Sequence, residues 1–169
     1  MKKSQQQGFT VVELLITLVI LSILVSVAAP SYQRMIAQQK LRGASTELRA
    51  SLLLTRAEAV KIGQTASMQP KLSDWNNGWE VVSDGNVVGD FALPEGVSVA
   101  AGPASGKVKY TLWGRPNSQC EHFDLTVSGC NMCLYLDIDG SVFTDTGACS
   151  ASCPAAPESA NNWVKACSQ

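Results

Sequence analysis

Histidine is almost missing from this chain, with His122 standing alone, and no cysteine occurs before Cys120. Charged residues make up only 16% and aromatic residues only 7% of the sequence. With one histidine, and with no glycine-rich phosphate loop or nucleophile elbow around any serine, the usual catalytic sets are missing. No catalytic residue, no cofactor and no enzymatic activity are therefore expected. The net charge of −1 and the pI near 5.8 supply no overall pull toward nucleic acid or acidic lipid, so any such partner must be met by a local patch. A chain of 169 residues has room for one ordinary domain, or for one long helix and a smaller domain of about 100 residues.

What the sequence does have is one long apolar run. Residues 9–29, FTVVELLITLVILSILVSVAA, carry a single charge, Glu13, and otherwise only threonine and serine as polar residues. As a helix this run spans roughly 30 Å, the thickness of a bilayer core. Lys2 and Lys3 precede it and no comparable basic cluster follows at once, so the N-terminus is expected on the cytoplasmic side and the remainder outside. Ser26-Val27-Ala28-Ala29 could be misread as the small-residue site of an ordinary secretory signal. The residues ahead of the run argue otherwise: Gly8-Phe9-Thr10-Val11-Val12-Glu13-Leu14 resembles the signal of type IV prepilins.

That resemblance implies a leader over residues 1–8, cut by a prepilin peptidase between Gly8 and Phe9, with N-methylation of the new terminus at Phe9. It also implies a role for Glu13. A carboxylate in a membrane helix costs about 2.5–3.5 kcal/mol by insertion scales, and in prepilin-derived subunits the acid at this position meets the N-terminal amine of a neighbouring subunit during assembly. The alternative is an acid tolerated near the membrane edge.

Pro30 follows the run, and pilin-like chains often carry a proline here, where the missing N–H breaks or kinks the helix. The helix is expected to resume as an amphipathic continuation over residues 30–63. Leu41, Ala44, Leu48, Leu52, Thr55, Ala59 and Ile62 recur at spacings of three and four, one stripe for packing on a sheet, and Gly63 marks the stop. Arg42, Arg49 and Arg56, spaced by seven, form a basic row with Lys40 and Lys61 nearby. This row reads either as a solvated helix face or as a contact for acidic neighbours, lipid headgroups or DNA.

From residue 64 to 169 the pattern changes to short apolar stretches between Gly, Pro, Asn and Asp. Residues 79–83, 87–91, 97–100, 108–113, 134–138 and 142–144 read as strands, with hairpin turns at Asp84-Gly85-Asn86 and Asp139-Gly140. The fold class is α+β: a long N-terminal helix, membrane-spanning in its first half, packed on an antiparallel sheet, with a disulfide-rich C-terminal tail. Here the resemblance narrows. Leu54-Thr55-Arg56-Ala57-Glu58-Ala59-Val60-Lys61, Trp75-Asn76-Asn77-Gly78-Trp79 and Leu93-Pro94-Glu95-Gly96-Val97 are similar to the helix end, the W-x-x-G-W signature and the L-P-x-G-V turn of the GspH/FimT/FimU group of minor pilins and pseudopilins. Both tryptophans read as core residues.

Six cysteines, Cys120, Cys130, Cys133, Cys149, Cys153 and Cys167, lie in the C-terminal third. Their even number fits disulfides formed outside the cytoplasm, with connectivity left open. The competing reading is a four-thiolate zinc site built on Cys130, Cys133, Cys149 and Cys153, to which Cys120 and His122 could contribute. The expected oxidising location favours disulfides and no metal. Asp137-Ile138-Asp139-Gly140-Ser141 has the look of a calcium-loop fragment, but the downstream glutamate is absent and a hairpin turn explains it.

The implied role is that of a structural minor pilin in the inner membrane, a single-pass protein with its head in the periplasm. Its implied partners are other pilins or pseudopilins and the inner-membrane assembly platform. The alternatives are the type II secretion pseudopilin H and a DNA-binding minor pilin for natural transformation. The DNA-binding members carry a Gly-Arg-x-Arg element after an apolar strand; here it aligns with Gly140-Ser141-Val142-Phe143, and both arginines are replaced. Beyond Asn117 the acids Glu121, Asp124, Asp137, Asp139, Asp145 and Glu158 face only Lys165, so binding to DNA is expected to be weak or absent.

Overall fold

The computed structural model describes residues 9–104, 106–118, 120–146 and Cys149, the side chains of Val27 and Pro30 excepted. Gly8, Cys153 and Cys167 lie outside the described residues. Two compact units divide the chain, one up to Met35 and one from Ile36 onward.

One helix, α1 (Val11–Ile62), runs through both. In the first unit every described side chain from Phe9 to Met35 is exposed, and the segment is long and apolar enough to cross a membrane by length and composition. Its hydroxyls are turned back on the backbone: Thr17 donates to the Leu14 carbonyl at 2.8 Å, Ser22 to Val19 at 2.8 Å and Ser26 to Ile23 at 2.7 Å. Polar side chains bonded this way present little unmet hydrogen-bonding capacity to an apolar solvent. The break expected at Pro30 is not present, since the helix is continuous through it. Proline removes a single N–H donor, and the helical bonds on either side suffice to carry the backbone across one gap.

In the second unit α1 buries Ala37, Leu41, Ala44, Leu48, Leu52 and Ala59, with Ser45, Ser51 and Thr55 among them. Ile62, expected in this stripe, is half-buried. The helix ends where Gly63 takes φ +66°, the left-handed conformation that closes a helix at little cost for glycine.

Eight strands follow: β1 (Ala66–Pro70), β2 (Trp79–Ser83), β3 (Asn86–Phe91), β4 (Ser98–Ala101), β5 (Val108–Tyr110), β6 (Cys120–Val127), β7 (Cys130–Asp137) and β8 (Val142–Thr146). They form two four-stranded sheets rather than the one expected, in the orders β3-β2-β1-β5 and β4-β6-β7-β8, with every pairing antiparallel. The buried side chains of α1 and the inner faces of both sheets make one core, including Met68, Trp79, Val81, Val108, Phe123, Leu125 and Leu134.

β1 and β6 lie outside the stretches whose pattern reads as strand. β1, ASMQP, is short and mostly small or polar, yet it is central in its sheet. In β6, Phe123, Leu125 and Val127 alternate with half-buried residues, the period-2 signal of a strand with one buried face. Through β6, the C-terminal third contributes Phe123, Leu125 and Val127 to the shared core. Residues 111–113, expected as strand, form a turn instead: the Gly114 N–H reaches the Thr111 carbonyl at 2.8 Å, and Trp113 is left 79% exposed.

Candidate functional site

At the start of the chain, Phe9 is outside the helix and 82% exposed. Thr10 is the helix cap. Its Oγ1 accepts from the Glu13 N–H at 3.2 Å and its carbonyl accepts from the Leu14 N–H at 3.2 Å. Glu13 sits in the first turn, where its negative charge complements the positive end of the helix dipole. Its side chain is exposed within this unit.

The tryptophan signature is structural, as expected, and joins the two sheets. Trp79 of β2 is fully buried, stacks on Phe91 at 5.9 Å and donates from Nε1 to Ser51 Oγ at 2.8 Å. Ser51 in turn meets the Leu48 carbonyl at 2.8 Å and Met68 Sδ at 3.2 Å, which satisfies a hydroxyl in the middle of the core. Trp75 packs edge-on against Phe123 of the other sheet at 4.9 Å. Between them, Asn76 Oδ1 accepts from the Val99 N–H at 2.9 Å, in β4. Gly78, at φ +89°, has no room for a side chain, because a Cβ there would lie 2.3 Å from the Phe91 carbonyl oxygen. The Pro94-Glu95-Gly96-Val97 turn closes with the Val97 N–H on the Pro94 carbonyl at 3.1 Å, and Lys40 Nζ of α1 donates to the Glu95 carbonyl at 2.8 Å.

The basic row does not stay together. Arg42 and Arg49 are exposed, whereas Arg56 is half-buried against two turns. Cβ atoms added at Gly114 and Gly140 would come within 3.1 Å of its Nε and 3.2 Å of its Nη1. Its guanidinium also acts on Tyr110, whose hydroxyl is pushed up to about 12 by burial, with the cation pulling the other way. Heptad spacing could not reveal this, because it depends on where β5 and the β7–β8 turn come to rest. Lys61 pairs with Glu58 at 3.1 Å on its own helix.

The calcium-like fragment uses its carboxylates locally. Asp137 Oδ1 accepts from the Ile138 N–H at 2.7 Å and Asp139 Oδ1 from the Ser141 N–H at 2.7 Å. The bonds from Ser141 hold the Asp139 carboxyl below its ordinary range. His122 lies 6.2 Å from the Tyr135 ring. Burial raises the neighbouring Asp124, partly offset by the His122 charge. Among the described residues no three His, Cys, Asp or Glu side chains converge as a metal cluster.

Cys133 is bonded to Cys149, so two members of the four-thiolate pattern are joined to each other. Cys120 and Cys130 are also disulfide-bonded. They sit at opposite ends of the β6–β7 hairpin, Cys120 across from Asp137 and Cys130 across from Val127, too far apart to bond to each other. Cys120 and Cys149 pack with Cys133, Tyr135 and Phe143, a small cluster separate from the main core.

Residues 3–29 match the prokaryotic N-terminal methylation motif, and residues 44–140 match the family described as type II transport protein GspH. No curated protein sequence matches the chain significantly. Among solved structures, it is similar to the crystal structure of the Pseudomonas aeruginosa type IV minor pilin FimU, with 21% identity over 63% of this chain and 89% of that one and a TM-score of 0.52. A second crystal form of that pilin gives 20% identity, 62% and 91% coverage and a TM-score of 0.49. The first likeness establishes the shared fold, and the GspH match spans more than half of the sequence. With the methylation motif ahead of it, that match places the chain in the GspH family of pilins and pseudopilins.

Proposed function

We propose that this chain is a structural minor pilin of a type IV pilus. It is cut by prepilin peptidase between Gly8 and Phe9, methylated at Phe9, held in the inner membrane by residues 9–29 with residues 64–169 in the periplasm, and then drawn into the filament by its helix. The observation that carries this reading is the unequal use of α1: from Val11 to Met35 every described side chain is exposed, while from Ala37 onward one stripe of apolar side chains is packed in a core. A bare apolar helix of this length needs a bilayer or the apolar interior of a filament around it. Within residues 9–29 Glu13 is then the one charge in that interior, to be neutralised by the amine of a neighbouring subunit.

The test is recovery with sheared surface filaments. The wild-type chain should copurify with other pilins, and Glu13→Gln should insert normally yet be lost from the filament fraction. Equal recovery of Glu13→Gln removes the role assigned to that residue.

The family description also suits a minor pseudopilin of type II secretion, and association with a secretion apparatus instead of a pilus would select it. DNA uptake is less well supported. Arg56 is occupied by the Gly114 and Gly140 turns, which leaves Arg42 and Arg49 as the exposed members of the row. Phosphate affinity depends on the number of neutralised charges.

A further inference from the structure

We infer that Trp113 is a docking anchor for a second copy of this chain: its indole ring enters the cleft rimmed by Leu72 on the next subunit, so that copies join head to tail. The inference rests on the filament reading proposed above and names one contact within it.

Beyond Met35, Leu72 and Trp113 are the most exposed large apolar side chains among the described residues, at 89% and 79%. Neither position is slack. Leu72 and Ser73 take φ +51° and +63°, a left-handed conformation that residues other than glycine seldom adopt, so the backbone is strained where it holds Leu72 out into water. Trp113 stands on a turn that is closed twice. The Thr111 N–H and hydroxyl donate to the Arg115 carbonyl at 2.8 and 3.0 Å, and the Gly114 N–H donates to the Thr111 carbonyl at 2.8 Å. Backbone strain that exposes a leucine, and an indole ring fixed in water, bring the isolated subunit no burial. A tryptophan with an arginine beside it is the composition of an interface centre.

Leu72 and Pro70 border a cleft of about 1030 Å³ that also presents Glu80 and Asp90. The apolar rim suits the face of a ring, and the carboxylates have acceptor capacity left over. Glu80 accepts from Gln69 Nε2 at 2.7 Å, and Asp90 pairs with Lys71 while its side chain stays 68% exposed. An entering Trp113 brings an indole N–H to these acceptors. Arg115, exposed and without an ion pair among the described residues, brings a guanidinium on the same turn.

The partner is a second copy because the ring and the cleft lie off opposite ends of one strand. β1 pairs Ala66 with Tyr110 and Met68 with Val108. The chain therefore leads past Tyr110 to Trp113 at one end and past Pro70 to Leu72 at the other, with about 17 Å of strand between them. That is farther than an indole reaches within its own chain. A protruding apolar group that matches a cleft elsewhere on the same molecule joins copies head to tail and leaves each end open for the next, which builds filaments instead of closed dimers.

The test uses the full-length chain in detergent, with a photoreactive benzoylphenylalanine in place of Trp113 and isotopically light and heavy molecules mixed before irradiation. Light-to-heavy crosslinks should map to peptides carrying Leu72 or Asp90. In sedimentation of the chain without the photoprobe, Trp113→Ala and Leu72→Gly should each weaken self-association at least about tenfold. Both should keep the melting temperature of the second unit, since Trp113 is exposed and glycine is at ease at the φ of Leu72. Arg115→Glu and Asp90→Arg should each weaken association about fivefold, and together recover most of it. Wild-type association of Trp113→Ala, crosslinks that fall outside the cleft, or no recovery in the double variant each overturn the inference. Crosslinks in sheared filaments from position 113 to a different pilin, with none to a second copy, also overturn it and leave the filament reading standing. Absence of the chain from filaments overturns that reading instead.

Discussion

Ser22 and Ser51 lie on the same helix and do the same local thing, each donating to the carbonyl three residues earlier at 2.8 Å. Ser22 belongs to the stretch before Met35, where every described side chain is exposed, and bonds only the Val19 carbonyl among the described residues. Ser51 is fully buried and also takes the Trp79 indole N–H and meets Met68. Helix formation is thus common to the two stretches, and what differs is the solvent each is built for. Before Met35 the apolar residues point in all directions, as suits an apolar surrounding; after Ile36 they narrow to one stripe in which Ala37, Ala44, Ser45 and Ala59 keep the backbone close to the sheets.

This comparison fails if the first stretch matters to the stability of the second unit. The largest effect is expected for Trp79→Ala, which removes the biggest fully buried side chain and should cost about 3–5 kcal/mol. Leu18→Ala in the exposed stretch should leave thermal unfolding of the second unit unchanged. Calorimetry of the full chain in detergent compares the two, and equal shifts would show that the stretches are not separate. Next in size, replacing Cys133 and Cys149 together by serine opens a loop with a sequence separation of 16 and should cost about 3 kcal/mol, with membrane insertion unaffected. Denaturant titration alongside a membrane-fractionation assay reads both.

The two serines give a finer comparison. Ser51→Ala strands the Trp79 indole N–H in the core and should cost about 1–3 kcal/mol in denaturant titration, whereas Ser22→Ala should cost nothing measurable.

The smallest effect is expected at Tyr110, whose hydroxyl is buried with no hydrogen-bond partner among the described residues. Tyr110→Phe should stabilise the chain by about 1 kcal/mol at neutral pH. Folded Tyr110 keeps its proton up to about 12, whereas the unfolded side chain loses it near 10, so its contribution is complete below pH 10 and falls as pH rises through 12. The phenylalanine variant should lack that alkaline decline in a stability-versus-pH series.

How far these elements could be read beforehand depended on how local their causes are. The buried stripe Leu41, Ala44, Leu48, Leu52, Thr55 and Ala59 was legible because helical periodicity is written in consecutive residues. So was the Asp84-Gly85 hairpin turn, where both residues take positive φ. β1 was not legible: ASMQP has no strand signature, and it becomes a central strand only because β2 and β5 pair on either side of it. β6 carries a local signal in the alternation of Phe123, Leu125 and Val127, set among the polar residues Glu121, His122, Asp124 and Thr126 that dilute it. Arg56 was misplaced because its spacing from Arg42 and Arg49 describes one helix alone, while its surroundings come from turns more than 50 residues away.

The sequence by itself determined that this chain has a helix fit for an apolar phase, a prepilin-like start with one acid at Glu13, and a cysteine-bearing antiparallel β region. Each of these follows from composition or from spacings of a few residues, which act wherever the chain is. Only the tertiary structure decided that the strands split into two sheets, that Trp75-Asn76-Asn77-Gly78-Trp79 joins them, that Arg56 leaves its row, and that Cys133 takes Cys149. Those outcomes depend on which distant segments meet, and the free energy that selects them comes from burying complementary surfaces against one another, a quantity that no window of neighbouring residues contains.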